Sequence, residues 1–358
     1  MNWYERLSRL SLIKDALQDK ASEDLFYSRL DYMMDRNAEK YRSEIQSLIK
    51  EWHCLNFESF WEKYNFDGII IFGCGNEGKI TKEMLNCIGY TVDYYCDNDK
   101  AKQGTKVKGV SVISVEEAVM KCPNFLFIPG TQIYAEEMYQ LLLEKGVLAN
   151  HIFYHENCLH GCFVPIRGVA GEQYRDVFLP EKEEVIVDAG SFDGETVIEF
   201  AEWTKHNYKK IYAIEPNQDM LQMVKDRCKN LQNIEYCQNA VWDKEEILFF
   251  DVEESRKAAA KIKETGKLEV QGRDIDSIVG DTKVTYIKMD VEGSELKALY
   301  GAKKTILRDK PKLAISIYHK LDDIVDIPLY ILELVPEYKF HIRCYYASGG
   351  EMVLYASV

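Results

Sequence analysis

The hydrophobic period changes along this chain. Near the start, Leu10, Ile13 and Leu17, and then Tyr41, Ile45, Leu48, Ile49 and Trp52, recur at steps of three and four, the spacing that gathers apolar side chains on one helical face. Residues 1–62 are therefore expected to be helical, a cap or a dimer surface. From Phe66 the pattern becomes short apolar runs separated by amphipathic stretches: "GIIIF", a glycine loop, a helix over 79–88 stopped by Gly89, "TVDYY", "NFLFIPG" and a helix ending at Gly146. Strands alternating with helices predict a parallel sheet over 63–165.

A second alternating series begins near Glu184. It runs through "VIVDAG", a helix over 195–203, "IYAIEP", a helix from Asn217, "NIEYCQNAV", "ILFFD", "VTYIKMD", a helix from Ser294, "KLAISIYH", another helix, "YKFHIRCYY" and "EMVLYASV". The fold class is α/β: two doubly wound, Rossmann-like domains, 63–165 and 166–358, behind a short N-terminal helical segment. The second sheet should have about seven strands.

Length and charge narrow the function classes. At 358 residues the chain exceeds what one core usually fills. A net charge of −14 and a pI near 5.1 lack the basic face that a nucleic-acid binder shows. No run approaches the roughly 20 apolar residues that span a bilayer, so neither nucleic acid nor membrane is an expected partner, and the cytoplasm is the expected location. The ten cysteines follow no framework spacing and are expected as thiols. "HIFYHENCLHGC" gathers His151, His155, Cys158, His160 and Cys162, but no second close pair follows, as a zinc site would require. No metal is assigned there.

Two glycine loops differ in their chemistry. "FGCGNEGK" sets Gly73, Gly75 and Gly78 between a strand and a helix, the context in which a glycine triplet cradles a pyrophosphate, and Asp97 is placed to bind a ribose hydroxyl. Glycines that merely pack a scaffold would look the same. In "VIVDAGSFDGE" an acid, Asp188, closes the strand, and Gly190 and Gly194 are separated by a bulkier insert. That loop suits S-adenosylmethionine better than NAD, because the sulfonium nucleoside has no pyrophosphate and carries an ammonium group that an acid can hold. Glu215, one crossover later, stands where an acid can take both ribose hydroxyls.

Asp188, Glu215, Asp290 and His319 each end an apolar run, so four strands should point polar groups into one crevice. His319 is the expected base, since imidazole titrates near neutral pH. Asp290 is expected to orient donor or acceptor, with Glu292 assisting. Glu295 fits an acid in the first turn of a helix. Magnesium on Asp290, Glu292 and Glu295 has weak support from one acidic run. A basic stretch, Arg256, Lys257, Lys261, Lys263 and Lys267, is either a solvated face or an attractor for an anionic acceptor, and His341 and Arg343 are candidates for the acceptor side.

The motifs "VIVDAGSFDGET", "IYAIEPN", "NAVWD", "IKMDVEGSE" and "VLYA" resemble those of the FkbM family of S-adenosylmethionine-dependent methyltransferases, over 184–358. The resemblance implies a class I methyltransferase fold and extends the expected donor contacts to Ser191, Asp193, Thr196, Pro216, Asn239 and Ala240. It implies methylation of a hydroxyl on a small-molecule acceptor, such as a sugar or nucleotide sugar. Residues 68–153 are similar to Rossmann-like modules attached to sugar-modifying enzymes. The competing expectation is an NAD- or nucleotide-sugar-binding protein whose second domain is a degenerate, non-catalytic methyltransferase module.

Overall fold

The computed structural model describes residues 3–48, 60–87, 89–131, 134–153, 173–251, 261–263, 268–345 and 349–358. Ile49, Trp52, Ile88, His155, Cys158, His160, Cys162, Arg256, Lys257 and Lys267 lie outside them. Internal contacts divide the chain into two units: Met1–Leu48 with Gly171–Cys344 and Gly349–Val358, and Ile49–Ala170 with Tyr345–Ser348. Among the described residues no helix is long and apolar enough to cross a membrane.

The chain opens with α1 (Trp3–Ala16), α2 (Lys20–Asp35) and α3 (Ala38–Leu48). Asp19 starts α2 by accepting from the backbone N–H of Ser22, which would otherwise be unpaired in the first turn.

The smaller unit follows with β1 (Ile69–Phe72), α4 (Asn76–Cys87), β2 (Tyr94–Cys96), β3 (Lys106–Val107), β4 (Val110–Ile113), α5 (Val115–Lys121), β5 (Leu126–Pro129) and α6 (Ala135–Glu144). Its five strands lie in the order β3-β4-β2-β1-β5, parallel except for the β3–β4 hairpin. Every residue of β1 and β5 is buried, as the continuous apolar runs require of strands covered on both faces.

The larger unit resumes with β6 (Glu184–Ala189), α7 (Glu195–Trp203), β7 (Tyr208–Ile214), α8 (Gln218–Arg227), β8 (Ile234–Cys237), β9 (Ala240–Val241), β10 (Glu246–Asp251), β11 (Lys261–Lys263) and β12 (Leu268–Arg273). It closes with α9 (Ile275–Val279), β13 (Tyr286–Met289), α10 (Glu295–Tyr300), α11 (Lys303–Asp309), β14 (Lys312–Ser316), α12 (Asp323–Leu334), β15 (Lys339–Cys344) and β16 (Met352–Ser357). Seven strands form one sheet in the order β15-β16-β14-β13-β6-β7-β8. β16 runs antiparallel between β15 and β14, and the other neighbours are parallel.

Two expected strands leave that sheet. "ILFFD" (β10) and the "AV" of "NAVWD" (β9) belong to a separate four-stranded sheet, β11-β10-β12-β9. The apolar run hides a half-buried strand: Leu248 is 6% exposed and its neighbour Ile247 57%, the alternation of a strand with one wet face.

The N-terminal helices belong to this unit and finish its sheet. Gln18 N–H donates to the carbonyl of Phe340 at 3.0 Å, and Ile342 N–H donates to the buried hydroxyl of Ser22 at 2.8 Å. These bonds occupy the free edge of β15, which would otherwise be open to pairing with another chain.

Candidate active site

The chain runs outward from β6 to β7 and β8, and then returns to place β13 on the other side of β6. This reversal is a topological switch point, and ligands of open α/β sheets bind beyond the carboxyl ends of the strands that flank it. Asp188, Glu215, Asp290 and His319 follow or end β6, β7, β13 and β14 on that side of the sheet.

Within β6, Asp188 is completely buried. Thr196 donates to its Oδ2 at 2.5 Å, and Nζ of Lys288 lies 3.0 Å from its Oδ1. Lys288, itself buried, also donates to the carbonyl of Gly190 at 2.6 Å. Burial opposes charge on Lys288, yet Asp188 and Asp290 outweigh it and raise the ammonium pKa. Asp188 is thereby tied beneath the loop by partners of the protein itself.

The loop folds back over β7: Gly190 and Ser191 both donate to the carbonyl of Ile214, at 2.9 and 3.1 Å. Gly190 has φ +80, and a Cβ there would stand 1.9 Å from the carbonyl oxygen of Asp290, so only glycine fits. Ser191 donates to the carbonyl of Asp188 at 2.9 Å. Asp193 accepts from Glu195 N–H at 3.1 Å and pairs with Arg227 at 3.1 Å, at the start of α7 just after Gly194.

Glu215 meets this loop from β7. Its Oε2 accepts from Phe192 N–H at 3.1 Å, and its Oε1 from Asn217 N–H at 2.9 Å. Burial raises its carboxyl to about 7 despite both N–H bonds. Pro216 follows it directly. Asn239 donates to the carbonyl of Gln271 at 3.3 Å, and Ala240 is a buried residue of the small sheet.

After β13 and β14, three carboxylates surround one imidazole. His319 Nδ1 lies 2.9 Å from Glu295 Oε1, and its Nε2 lies 3.5 Å from both Asp290 Oδ1 and Glu292 Oε2. Burial disfavours the charged ring, but Glu295, Asp290 and Glu292 prevail and raise it to about 9. The shift runs above the near-neutral titration expected from sequence, because the surrounding carboxylates favour the charged ring. Glu295, fully buried, also accepts from Val291 and Gly293 N–H at 3.0 and 3.3 Å, which shapes the turn holding Glu292 at φ +54. Burial raises the Glu292 carboxyl, an effect that His319 partly offsets.

Sequence reading missed the residues that brace this cluster. Tyr174 donates to Asp290 Oδ2 at 2.7 Å, and the Tyr318 hydroxyl stands 3.5 Å from Asp290 Oδ1 and 3.4 Å from Glu351 Oε1. From α2, the buried Arg29 donates to the carbonyl of Tyr318 at 2.8 Å. Lys288 was in the quoted "IKMD" motif but had no role assigned. Conversely, Arg343 pairs with Asp19 at 2.6 Å and His341 lies 3.9 Å from it, so these two serve the helix–strand junction rather than the cluster.

In the smaller unit, Gly73, Gly78 and Asp97 are drawn together by packing. A Cβ on Gly78 would stand 2.0 Å from the carbonyl oxygen of Gly73, while Gly75 faces open space. Asp97 Oδ2 accepts from Cys74 N–H at 3.1 Å and from Lys102 at 3.2 Å, and its Oδ1 from Asp99 N–H at 2.9 Å. Burial alone would raise this carboxyl, but these bonds hold it below its ordinary value. The contacts account for Gly78 and Asp97 without a ligand.

Comparison with known proteins gives partial likenesses. No curated protein matches the chain. The crystal structure of Methyltransferase FkbM from Methylobacillus flagellatus KT is 18% identical, covering 94% of this chain and 99% of that one with a TM-score of 0.49. An rRNA methylase from Streptococcus thermophilus is 14% identical over 50% of this chain and 89% of its own, TM-score 0.34. Aeropyrum pernix fibrillarin, in complex with natively bound S-adenosyl-L-methionine, is 10% identical over 51% of this chain and 69% of its own, TM-score 0.32. At the level of sequence family, residues 188–342, from the buried acid of β6 to the middle of β15, match the Methyltransferase FkbM domain.

Proposed function

We propose that this chain is an S-adenosylmethionine-dependent methyltransferase whose acceptor is a hydroxyl of a sugar or other carbohydrate-derived small molecule. The observation that carries the reading is the meeting, at one switch point, of a glycine loop, an acid suited to ribose hydroxyls and a half-buried acidic cluster. The match of 188–342 to the Methyltransferase FkbM domain supports it.

In this reading Gly190–Gly194 make room for the donor and Glu215 accepts from its ribose hydroxyls, each carboxylate oxygen having capacity beyond its one N–H bond. Asp188 acts from below, fixing the loop through Lys288 and Thr196. Methyl transfer is an in-line displacement: the acceptor oxygen bonds to the methyl carbon as the carbon–sulfur bond breaks, and the acceptor proton must leave. Glu292 takes that proton, because burial makes it more basic than an ordinary carboxylate. Asp290, steadied by Tyr174, orients the acceptor. His319 balances the charge of the carboxylates. A cytosolic setting agrees with the buried free thiols of Cys74, Cys96, Cys122, Cys228 and Cys237.

Calorimetry on the full chain tests this. S-adenosylhomocysteine should give saturable heat that Glu215→Ala weakens and NADH does not displace. Incubation with methyl-labelled donor and a panel of sugars and nucleotide sugars should label a hydroxyl. Heat from NADH, with none from S-adenosylhomocysteine, would establish the dinucleotide-binding alternative.

A further inference from the structure

The polar cluster after β13 and β14 sets three carboxylates around a single imidazole. Three carboxylates stand within 3.5 Å of His319. One ligand atom each from Asp290, Glu295 and His319 lies within 4.8 Å of the other two, a spacing from which small side-chain shifts reach one ion. A second observation concerns the deepest member. Glu295 is fully buried, and while its Oε1 takes two N–H groups, its Oε2 has no hydrogen-bond partner. An unmatched carboxylate oxygen at 0% exposure is costly unless a donor or a cation faces it.

We propose that Asp290, Glu295 and His319 form a binding site for one divalent metal ion. Two carboxylates and one imidazole suit Mn²⁺ or Zn²⁺ better than Mg²⁺, which favours oxygen ligands and keeps much of its water. The ion would take the imidazole in its neutral form, as histidine ligation requires in general. Tyr174, bonded to Asp290 Oδ2, directs the other oxygen of that carboxylate inward. Glu292 stays outside the ligand set. The catalytic consequence rests on the methyl-transfer reading: an acceptor hydroxyl on the ion would lose its proton to Glu292 more readily, through Lewis-acid polarisation. The site itself does not depend on that reading.

The test uses the full-length protein, freed of metal by chelation and titrated with MnCl₂ alone, with free Mn²⁺ counted by electron paramagnetic resonance. One Mn²⁺ per chain is expected. Asp290→Asn and His319→Ala should each weaken uptake by about tenfold or more, while Glu292→Gln binds as the parent does. Circular dichroism and thermal unfolding of every variant report that the fold is intact. Absence of stoichiometric uptake, or equal uptake by the parent and the two ligand variants, overturns the site even if S-adenosylhomocysteine binds. Stoichiometric uptake lost in the ligand variants supports it even if S-adenosylhomocysteine gives no heat, a result that would count against the methyl-transfer reading alone.

Discussion

Lys288 and Asp188 are direct cross-strand partners in the middle of the main sheet, and their charged atoms meet at 3.0 Å with neither residue open to solvent. Such a pair is weak evidence of net stabilisation, but removing one partner strands the other. Lys288→Met should therefore cost about 3–5 kcal/mol in urea unfolding. Adding Asp188→Asn should restore much of it. A loss below about 1 kcal/mol would mean that Asp188 does not rely on this lysine.

Donor affinity should depend on pH through Glu215. Burial lifts this carboxyl from its ordinary value of 4.5 to about 7, so acid conditions leave it neutral and a poorer acceptor for hydroxyl groups. S-adenosylhomocysteine should bind more tightly as pH rises from about 6 to about 8, and Glu215→Gln should flatten that rise. The same shift has the opposite sign for folding. With its folded pKa raised, Glu215 contributes stability that is fully present below 4.5 and lost as pH climbs through about 7. Calorimetry across that range, on parent and variant, checks both directions.

Gly190→Ala should be severe for two separable reasons. The backbone there is left-handed, and the added methyl would overlap the carbonyl of Asp290. Strain and overpacking together predict at least about 2 kcal/mol of destabilisation. Displacing that carbonyl also moves the acidic cluster, so turnover should fall in whatever fraction remains folded. Thermal unfolding and single-turnover rates read the two effects apart.

Tyr174→Phe isolates the bracing of Asp290. It removes one hydroxyl bonded at 2.7 Å and leaves the ring. Turnover should drop while S-adenosylhomocysteine affinity stays unchanged, because no donor contact is assigned to this residue. The loss should be about 1.5–3 kcal/mol in barrier height, the range for a hydrogen bond to a charged group. Equal turnover by parent and variant would remove Tyr174 from the site.

The crevice was legible from sequence because "VIVD", "YAIE", "IKMD" and "SIYH" each end an apolar run in a polar residue, and strand ends are where such residues gather. Register was not. Lys288 looks like a surface lysine in one dimension, and only the adjacency of β6 and β13, made by a chain that leaves and returns, sets it opposite Asp188. The charge state of His319 was hidden for a related reason: Glu295 resembles an ordinary first-turn acid until the turn after β13 brings it to 2.9 Å. "ILFFD" misled because apolar composition does not reveal which side of a strand is wet.

The way α2 and β16 complete the main sheet bears on any attempt to shorten this protein. The stretch that matches the Methyltransferase FkbM domain ends at 342, yet β16, an interior strand, comes later, β6 begins before 188, and Arg29 props the segment carrying His319 from far upstream. An excised 188–342 fragment would leave a gap between β14 and β15 and cut β6 partway along. Recombinant pieces should instead retain the opening helices and the final strand.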